Sequence, residues 1–120
     1  MSEIIETAKK IDPLLSNTTR LLILASLYII GPMYEADLAK LLKTSWGKLA
    51  THLNKLEKAG YIKKQKVIGE DRPRTLVKPT KQGITKLHQH LEALTQLHTK
   101  LTQSSTYYRQ HNRSAIFKRY

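Results

Sequence analysis

Residues 45–61 have the sequence SWGKLATHLNKLEKAGY, a segment with two distinct faces and two marked ends. At 3.6 residues per turn, one stripe of the corresponding helix holds three leucines, namely Leu49, Leu53 and Leu56. A second stripe, turned well away from the leucines, holds the polar side chains Lys48, Thr51, His52 and Lys55. The segment therefore predicts a helix with one core face and one outward face that can form hydrogen bonds.

Both ends of this helix carry capping signals. Ser45 is a residue type that accepts the free amide hydrogens of a first turn. Ala59 and Gly60 allow the left-handed conformation that commonly terminates a helix. The predicted helix covers residues 45–59, and a basic segment with strand-forming residues follows it. A helix with hydrogen-bond donors in its N-terminal half and a basic hairpin behind it is typical of a recognition helix and its wing.

The run LxxHLxxLExAGY, present here as residues 49–61, resembles the recognition helix of winged helix-turn-helix transcription regulators of the ArsR and MarR type. The resemblance continues upstream in NTTRLLIL at residues 17–24 and downstream in TKQG at residues 80–83, while Trp46 and Pro79 depart from the family pattern. It implies a mostly α-helical chain with a small β-hairpin, an α+β fold. The winged helix-turn-helix would occupy about residues 12–80, and an extended C-terminal helix would serve dimerisation.

The basic charge is concentrated in the middle of the chain. The 120 residues carry 21 lysines and arginines against nine acidic residues, a formal net charge of +12. Residues 43–86 hold twelve of the basic and three of the acidic side chains, whereas residues 1–42 have a net charge of −1. A basic surplus confined to the recognition helix and wing predicts a polyanionic partner, here double-stranded DNA. The alternative is a lysine-rich surface that only keeps the protein soluble.

The other helices of this single domain are placed by apolar spacing and by helix breakers. The spacing predicts a short amphipathic helix over residues 3–11. It then predicts an apolar helix that Asn17 or Thr18 caps and that ends at Gly31. Residues 35–42 predict the short helix that precedes the recognition helix across a brief turn.

The DNA contacts are predicted on the outward stripe and on a wing over residues 62–79, which would reach the backbone or the minor groove. Arg20 is either a surface arginine or a phosphate contact. Trp46 either lies against a sugar or thymine methyl group or closes the core. The predicted DNA-binding residues are Ser45, Trp46, Lys48, Thr51, His52, Lys55, Lys66, Arg72, Arg74 and Arg20.

A narrow apolar seam runs along the predicted last helix, residues 81–106, which Thr80 caps. Its members recur every three or four positions, at Ile84, Leu87, Leu91, Leu94, Leu97 and Leu101. A seam of this width favours pairing with a second copy of the chain and predicts a homodimer. The alternative is that the seam packs back on its own domain. The basic tail, residues 107–120, is either a frayed end or an extension that adds phosphate and stacking contacts.

Motifs for catalysis are absent from the sequence. There is no phosphate-binding glycine loop, nucleophile elbow or pair of carboxylates in a shared apolar setting, so no enzyme activity and no cofactor are expected. The five histidines lack the spacing of a metal site. There is no cysteine, the chain begins with a polar segment, and residues 21–30 are too short to span a membrane. A cytoplasmic location without membrane contact is expected.

Three functions are compatible with these features. The favoured one is a dimeric, sequence-preferring regulator of transcription. The first alternative is an architectural protein that coats DNA with little sequence preference, and the second is a winged helix used for contacts with protein or RNA. The polar face at Ser45, Thr51 and His52 favours base reading over coating. The operator, the direction of regulation and any small-molecule effector are not identified by the sequence.

Overall fold

The computed structural model describes residues 1–69 and 71–111. Within these residues the chain forms six helices and three strands: α1 Ser2–Ala8, α2 Thr18–Ile30, β1 Met33–Tyr34, α3 Glu35–Leu42, α4 Trp46–Lys58, β2 Ile62–Ile68, β3 Pro73–Pro79, α5 Lys81–Ser104 and α6 Thr106–His111. The predicted fold class, mostly α with a small hairpin and a long C-terminal helix, is confirmed. Most of the predicted basic tail, residues 112–120, lies outside the described residues.

Side-chain caps begin the three main helices where the sequence predicts them. The side chains of Asn17, Ser45 and Thr80 accept the backbone N–H groups of Arg20, Lys48 and Gly83, respectively. At the other end of α4, Gly60 adopts a left-handed φ of 82°. The next N–H, that of Tyr61, donates to the Leu56 carbonyl oxygen at 2.9 Å. The limits of α4 are therefore set by local chemistry.

A single hydrophobic core joins helices α2, α3, α4 and α5 to the sheet. Its fully buried side chains are Leu15, Ile23, Leu24, Leu27, Leu38, Leu49, Leu53, Leu56, Ile62, Val77 and Leu87. The three α4 leucines are each 0% exposed. The predicted core face of the recognition helix is confirmed.

The sheet contains three antiparallel strands in the order β1-β3-β2. The hairpin register runs from Ile62 opposite Pro79 to Ile68 opposite Pro73, as expected for a wing. Strand β1 was not predicted, since its two residues, Met33 and Tyr34, are too few to show an alternating pattern. By pairing with β3 it joins the base of the wing to the connection between α2 and α3.

The start of α5 packs against the backbone of the two residues that follow the end of α4, Gly60 and Tyr61. The Thr80 N–H donates to the Tyr61 carbonyl oxygen at 3.1 Å, and the Thr80 hydroxyl donates to the Gly60 carbonyl oxygen at 2.6 Å. A Cβ atom at Gly83 would lie 2.1 Å from that same Tyr61 oxygen. Glycine is therefore required at position 83 by a close backbone approach.

Asp12 ties the connection between α1 and α2 to both α4 and α5. Its backbone N–H donates to Nδ1 of His90 at 3.0 Å, and its carboxylate accepts the Leu14 N–H at 2.9 Å and the Tyr61 hydroxyl. Burial of the Tyr61 ring and the hydrogen bond to Asp12 raise the pKa of Tyr61 to about 12. Tyr61, shortly after α4, is thus held by two distant parts of the chain, at Asp12 and at Thr80.

Replacing Gly83 by alanine should strongly destabilise the fold. The new Cβ would clash with the Tyr61 backbone, and we expect the free energy of unfolding to fall by about 3 kcal/mol, the upper end of overpacking costs. Gly47→Ala is the matched control, because no atom lies within 4 Å of a Cβ there. In α4 it should be neutral or stabilise by up to about 1 kcal/mol. Equal effects of the two substitutions in urea denaturation would contradict the close approach.

Replacing Tyr61 by phenylalanine removes a hydrogen bond to a carboxylate and should cost about 1.5–3 kcal/mol of stability at pH 8. Because the folded-state pKa of Tyr61 is raised, the stabilisation by its hydroxyl is complete below pH 10 and is lost as the pH rises towards 12. The difference between wild type and Tyr61→Phe should therefore shrink between pH 10 and 12. Urea denaturation at pH 8 and pH 11 measures it, with Tyr28→Phe at a half-exposed tyrosine as control. A difference that does not change with pH would be inconsistent with the Tyr61–Asp12 bond.

Candidate nucleic-acid interface

The outward face of α4 presents polar side chains at one side of the molecule. Lys48, Thr51 and Lys55 are exposed, on the side of the helix opposite its buried leucines. The Thr51 hydroxyl donates to the Gly47 carbonyl oxygen at 3.0 Å, which leaves the hydroxyl oxygen free to accept. Ser45, also exposed, uses its oxygen as the helix cap. Four of the predicted DNA-binding residues therefore lie together on an accessible surface.

His52 differs from its neighbours on α4 because it is half-buried and has a partner inside the protein. Its Nδ1 atom lies 3.1 Å from Nη1 of Arg20, at the start of α2. The Nε–H of Arg20 also donates to the Leu14 carbonyl oxygen at 2.6 Å. Burial, the charge of Arg20 and the charge of Lys55 all lower the pKa of His52 below 6.5. Arg20, which the sequence left open between a surface side chain and a phosphate contact, is thus braced against the recognition helix.

The lysines of β2 divide into two groups. Lys63 and Lys66 on β2 are exposed. Lys64 instead turns to α4, where its Nζ donates to Oδ1 of Asn54 at 2.6 Å and lies 3.8 Å from the Glu57 carboxylate. Lys66 is therefore exposed, and its contact with DNA stays a prediction, whereas Lys64 links the wing to α4.

A groove lies between the wing tip and helix α3, with the first residue of α4 at its edge. It has a volume of about 380 Å³, and its lining includes Tyr34, Trp46, Arg72 and Arg74. The Arg74 guanidinium lies over the Tyr34 ring, 5.3 Å from its centroid, while Arg72 is exposed. Trp46 is 59% exposed and does not close the core. Tyr34 was not a predicted site residue, since its position beside Arg74 depends on the pairing of β1 with β3.

Helix α5 leaves part of its apolar seam exposed. Leu91, Leu94 and Leu101 are 39–46% exposed. By contrast, Leu87 is 2% exposed and packs in the core of its own domain, and Ile84 and Leu97 are half-buried. The predicted seam of six residues is therefore divided between buried or half-buried members and exposed ones, and its pairing with a second copy stays a prediction.

A second apolar surface lies at the end of α2 and was not predicted. Ile29 is 79% exposed, Ile30 is 59% exposed, and Tyr28 packs edge-on against the His88 ring of α5 with 5.0 Å between ring centroids. The signal in the sequence was an apolar run that continues around the helix beyond one buried face. Because Tyr28 contacts α5, this surface adjoins the long helix.

The histidines of the chain are spread over three helices, α4, α5 and α6. The described parts of the chain contain no group of three or more histidine, cysteine, aspartate or glutamate side chains that could hold a metal ion. Across residues 1–69 and 71–111, no helix has the length and apolar character needed to cross a membrane.

Comparison with known proteins agrees with this architecture. Residues 19–98 match the family described as winged helix DNA-binding domain, which covers two thirds of the chain. None of the curated proteins matches the chain by sequence. Among solved structures, a transcriptional regulator homologue from Pyrococcus horikoshii OT3 is 33% identical, with 84% of this chain and 98% of that protein covered and a TM-score of 0.73.

More distant structures share the fold. A mutant of MarR from Escherichia coli is 22% identical, with 95% of this chain and 87% of that chain covered and a TM-score of 0.62. The PcaV transcriptional regulator from Streptomyces coelicolor, solved with its natural ligand, is 13% identical, with 86% and 72% covered and a TM-score of 0.60. The resemblance carried by residues 49–61 is thus confirmed, and the chain belongs to the winged helix DNA-binding domain family, with MarR-type transcriptional regulators among its structural neighbours.

Proposed function

We propose that this protein is a homodimeric, sequence-preferring transcription regulator that binds double-stranded DNA. Helix α4 would enter the major groove, and the β2–β3 wing would contact the backbone or the minor groove. The observation that carries this proposal is the outward face of α4, where Lys48, Thr51 and Lys55 are exposed on a side turned away from three fully buried leucines. A helix held in one rotational position by its core can present the same side chains to every duplex.

The chemistry of this face suits base edges as well as phosphates. Lys48 can donate to guanine O6 and N7. The Thr51 hydroxyl donates its proton to the Gly47 carbonyl oxygen, so its oxygen can accept from an adenine or cytosine amino group. The Thr51 methyl group can contact a thymine methyl. A surface that only coated DNA would need positive charge alone. The mixture of donor, acceptor and methyl group supports sequence preference.

The wing supplies contacts that do not depend on sequence. Arg72 at the tip and Lys63 and Lys66 on β2 are exposed, so their charges can neutralise phosphates. Arg74 has less freedom, because its guanidinium lies over the Tyr34 ring. The wing is therefore expected to contribute affinity and salt dependence more than discrimination between sequences.

A second candidate function is architectural binding, which the net charge of +12 favours. The two functions differ in one measurable property, the ratio of affinities for a preferred and a random duplex. Selection of preferred sites from random duplexes would reveal that ratio. A palindromic consensus would also support two recognition helices related by a two-fold axis.

The exposed leucines of α5 support dimerisation. Leu91 and Leu94 are adjacent on one helix face and remain about 40% exposed in the single chain. Burying such side chains against a second copy would stabilise the assembly by the hydrophobic effect. Pairing of two α5 helices would also give the α4 helices a defined spacing for two half-sites.

Replacing both Leu91 and Leu94 by lysine should convert the dimer into a monomer of 13.8 kDa and weaken DNA binding. The reason is that buried, unpaired charges would oppose the contact between the two helices. Light scattering measures the mass. Leu41→Lys, at a similarly exposed leucine on α3, is the matched control and should keep the mass of the wild type. A double variant with the wild-type mass would show that this seam does not hold the dimer.

Substitutions on the helix and on the wing should have different effects on DNA binding. Thr51→Ala should cost about 1–3 kcal/mol on the preferred duplex and much less on a scrambled one, while Thr51→Ser keeps the hydroxyl and should cost less. Replacing Arg72 and Arg74 together by alanine should weaken binding to both duplexes and lower the salt slope by about 0.9 per lost phosphate contact. Fluorescence anisotropy measures both. Equal losses on the two duplexes for Thr51→Ala would favour the architectural function.

A further inference from the structure

The contact between Arg20 and His52 restricts the chemistry of the histidine. A guanidinium group has five N–H donors and no acceptor. Because Nη1 of Arg20 lies 3.1 Å from Nδ1 of His52, Nδ1 must be the acceptor of this hydrogen bond. The arginine itself is held in place, since its Nε–H donates to the Leu14 carbonyl oxygen at 2.6 Å. Arg20 is therefore the donor of this hydrogen bond, and His52 is the acceptor.

A neutral imidazole carries one proton, on one of its two nitrogens. With Nδ1 accepting from Arg20, that proton must be on Nε2. A protonated ring could not accept at Nδ1. Burial lowers the pKa of His52, and the charges of Arg20 and Lys55 lower it further. The geometry and the surrounding charge thus favour the same state, a neutral ring with its proton on Nε2.

The Nε2–H group of the half-buried His52 ring lies on the side away from Arg20. The two ring nitrogens point in diverging directions, so a contact through Nδ1 leaves Nε2 on the other side of the ring. In the described residues, every buried side-chain polar atom has a hydrogen-bond partner, and the contact of His52 is made through Nδ1. Since Nε2 makes no hydrogen bond within the described residues, it is not fully buried and keeps some contact with solvent.

We propose that Arg20 is a positioning residue that holds His52 as a hydrogen-bond donor, so that His52 reads an acceptor atom in the major groove. The acceptors of that groove are purine N7, guanine O6 and thymine O4, whereas adenine N6 and cytosine N4 are donors that this tautomer rejects. The inference rests on the proposed function, because it assumes that α4 lies in the major groove. It adds a residue outside the recognition helix that determines specificity without touching DNA.

The first experiment examines the free protein. Correlation of ring protons with ring nitrogens in 15N-labelled protein at pH 7.5 reports the tautomer of His52, whose signals are assigned by their loss in His52→Gln. The proton should be on Nε2 in the wild type. In Arg20→Met it should distribute between the two nitrogens, and the pKa of His52 should rise towards 6.5, because a cation and a donor are lost. A proton on Nδ1, or a charged ring at pH 7.5, in the wild-type protein would overturn the proposal without any DNA measurement.

The second experiment examines DNA binding with analogues that each remove one acceptor from the preferred duplex. These are 7-deazapurine for N7, 2-aminopurine for guanine O6 and 5-methyl-2-pyrimidinone for thymine O4. One position in each half-site should lose about tenfold in affinity with the wild-type protein, as expected for one hydrogen bond. With His52→Ala the same analogue should cause no further loss. In Arg20→Met the analogue should cause a smaller loss of affinity. In Arg20→Lys, whose side chain also donates and cannot accept, much of the wild-type loss should return.

Two outcomes of the DNA experiment would overturn the proposal. In one, every analogue lowers the affinity of the wild-type protein and of His52→Ala by the same factor. In the other, His52 couples only to a methylphosphonate in the backbone, which would make it a phosphate contact. A merely structural role of Arg20 would lower stability and weaken binding to all duplexes alike, without changing the analogue penalty. If the protein selects no duplex, both base reading and the proposed function are wrong. The tautomer measurement tests the Arg20–His52 hydrogen bond independently of DNA binding.

Discussion

Burial of one leucine stripe of α4 is the constraint on which the rest of the interface depends. Leu49, Leu53 and Leu56 are each completely buried, and each contributes about 1.5–3 kcal/mol relative to an exposed side chain. Rotating the helix about its axis would expose these side chains together. The orientation of Lys48 and Thr51 towards solvent is therefore a consequence of core packing, and it requires no specific contacts from the outward face itself.

Helix α4 is also held by other parts of the chain. At its middle, Arg20 joins α2 to His52, and just after its end Tyr61 is bonded to Asp12 and to the backbone of Thr80. The close approach of Gly83 to Tyr61 leaves no space for a side chain at this junction. In the proposed function, this helix would meet DNA as a rigid element, so differences in affinity between sequences would reflect hydrogen bonds more than rearrangement.

Helix α5 has both buried and exposed leucines along one face. Its first half supplies Leu87 to the core of the domain, whereas Leu91, Leu94 and Leu101 remain partly exposed. Polar contacts also tie α5 to the N-terminal part of the chain, through His90 with Asp12 and through Lys100 with Thr7. A contact made by the outer leucines would therefore be coupled mechanically to the domain that carries α4.

The sequence by itself determined the elements whose signals are local. Caps at Ser45 and Thr80, the leucine stripe of α4 and the wing hairpin each depend on residues within a few positions of one another. Only the tertiary structure decided the rest: the third strand at Met33, the inward position of Leu87, and the Arg20–His52 pair, whose members are 32 positions apart. The physical reason is that such contacts form when separate helices and strands pack together. Periodicity along the chain records which face is apolar, but not which neighbour covers it.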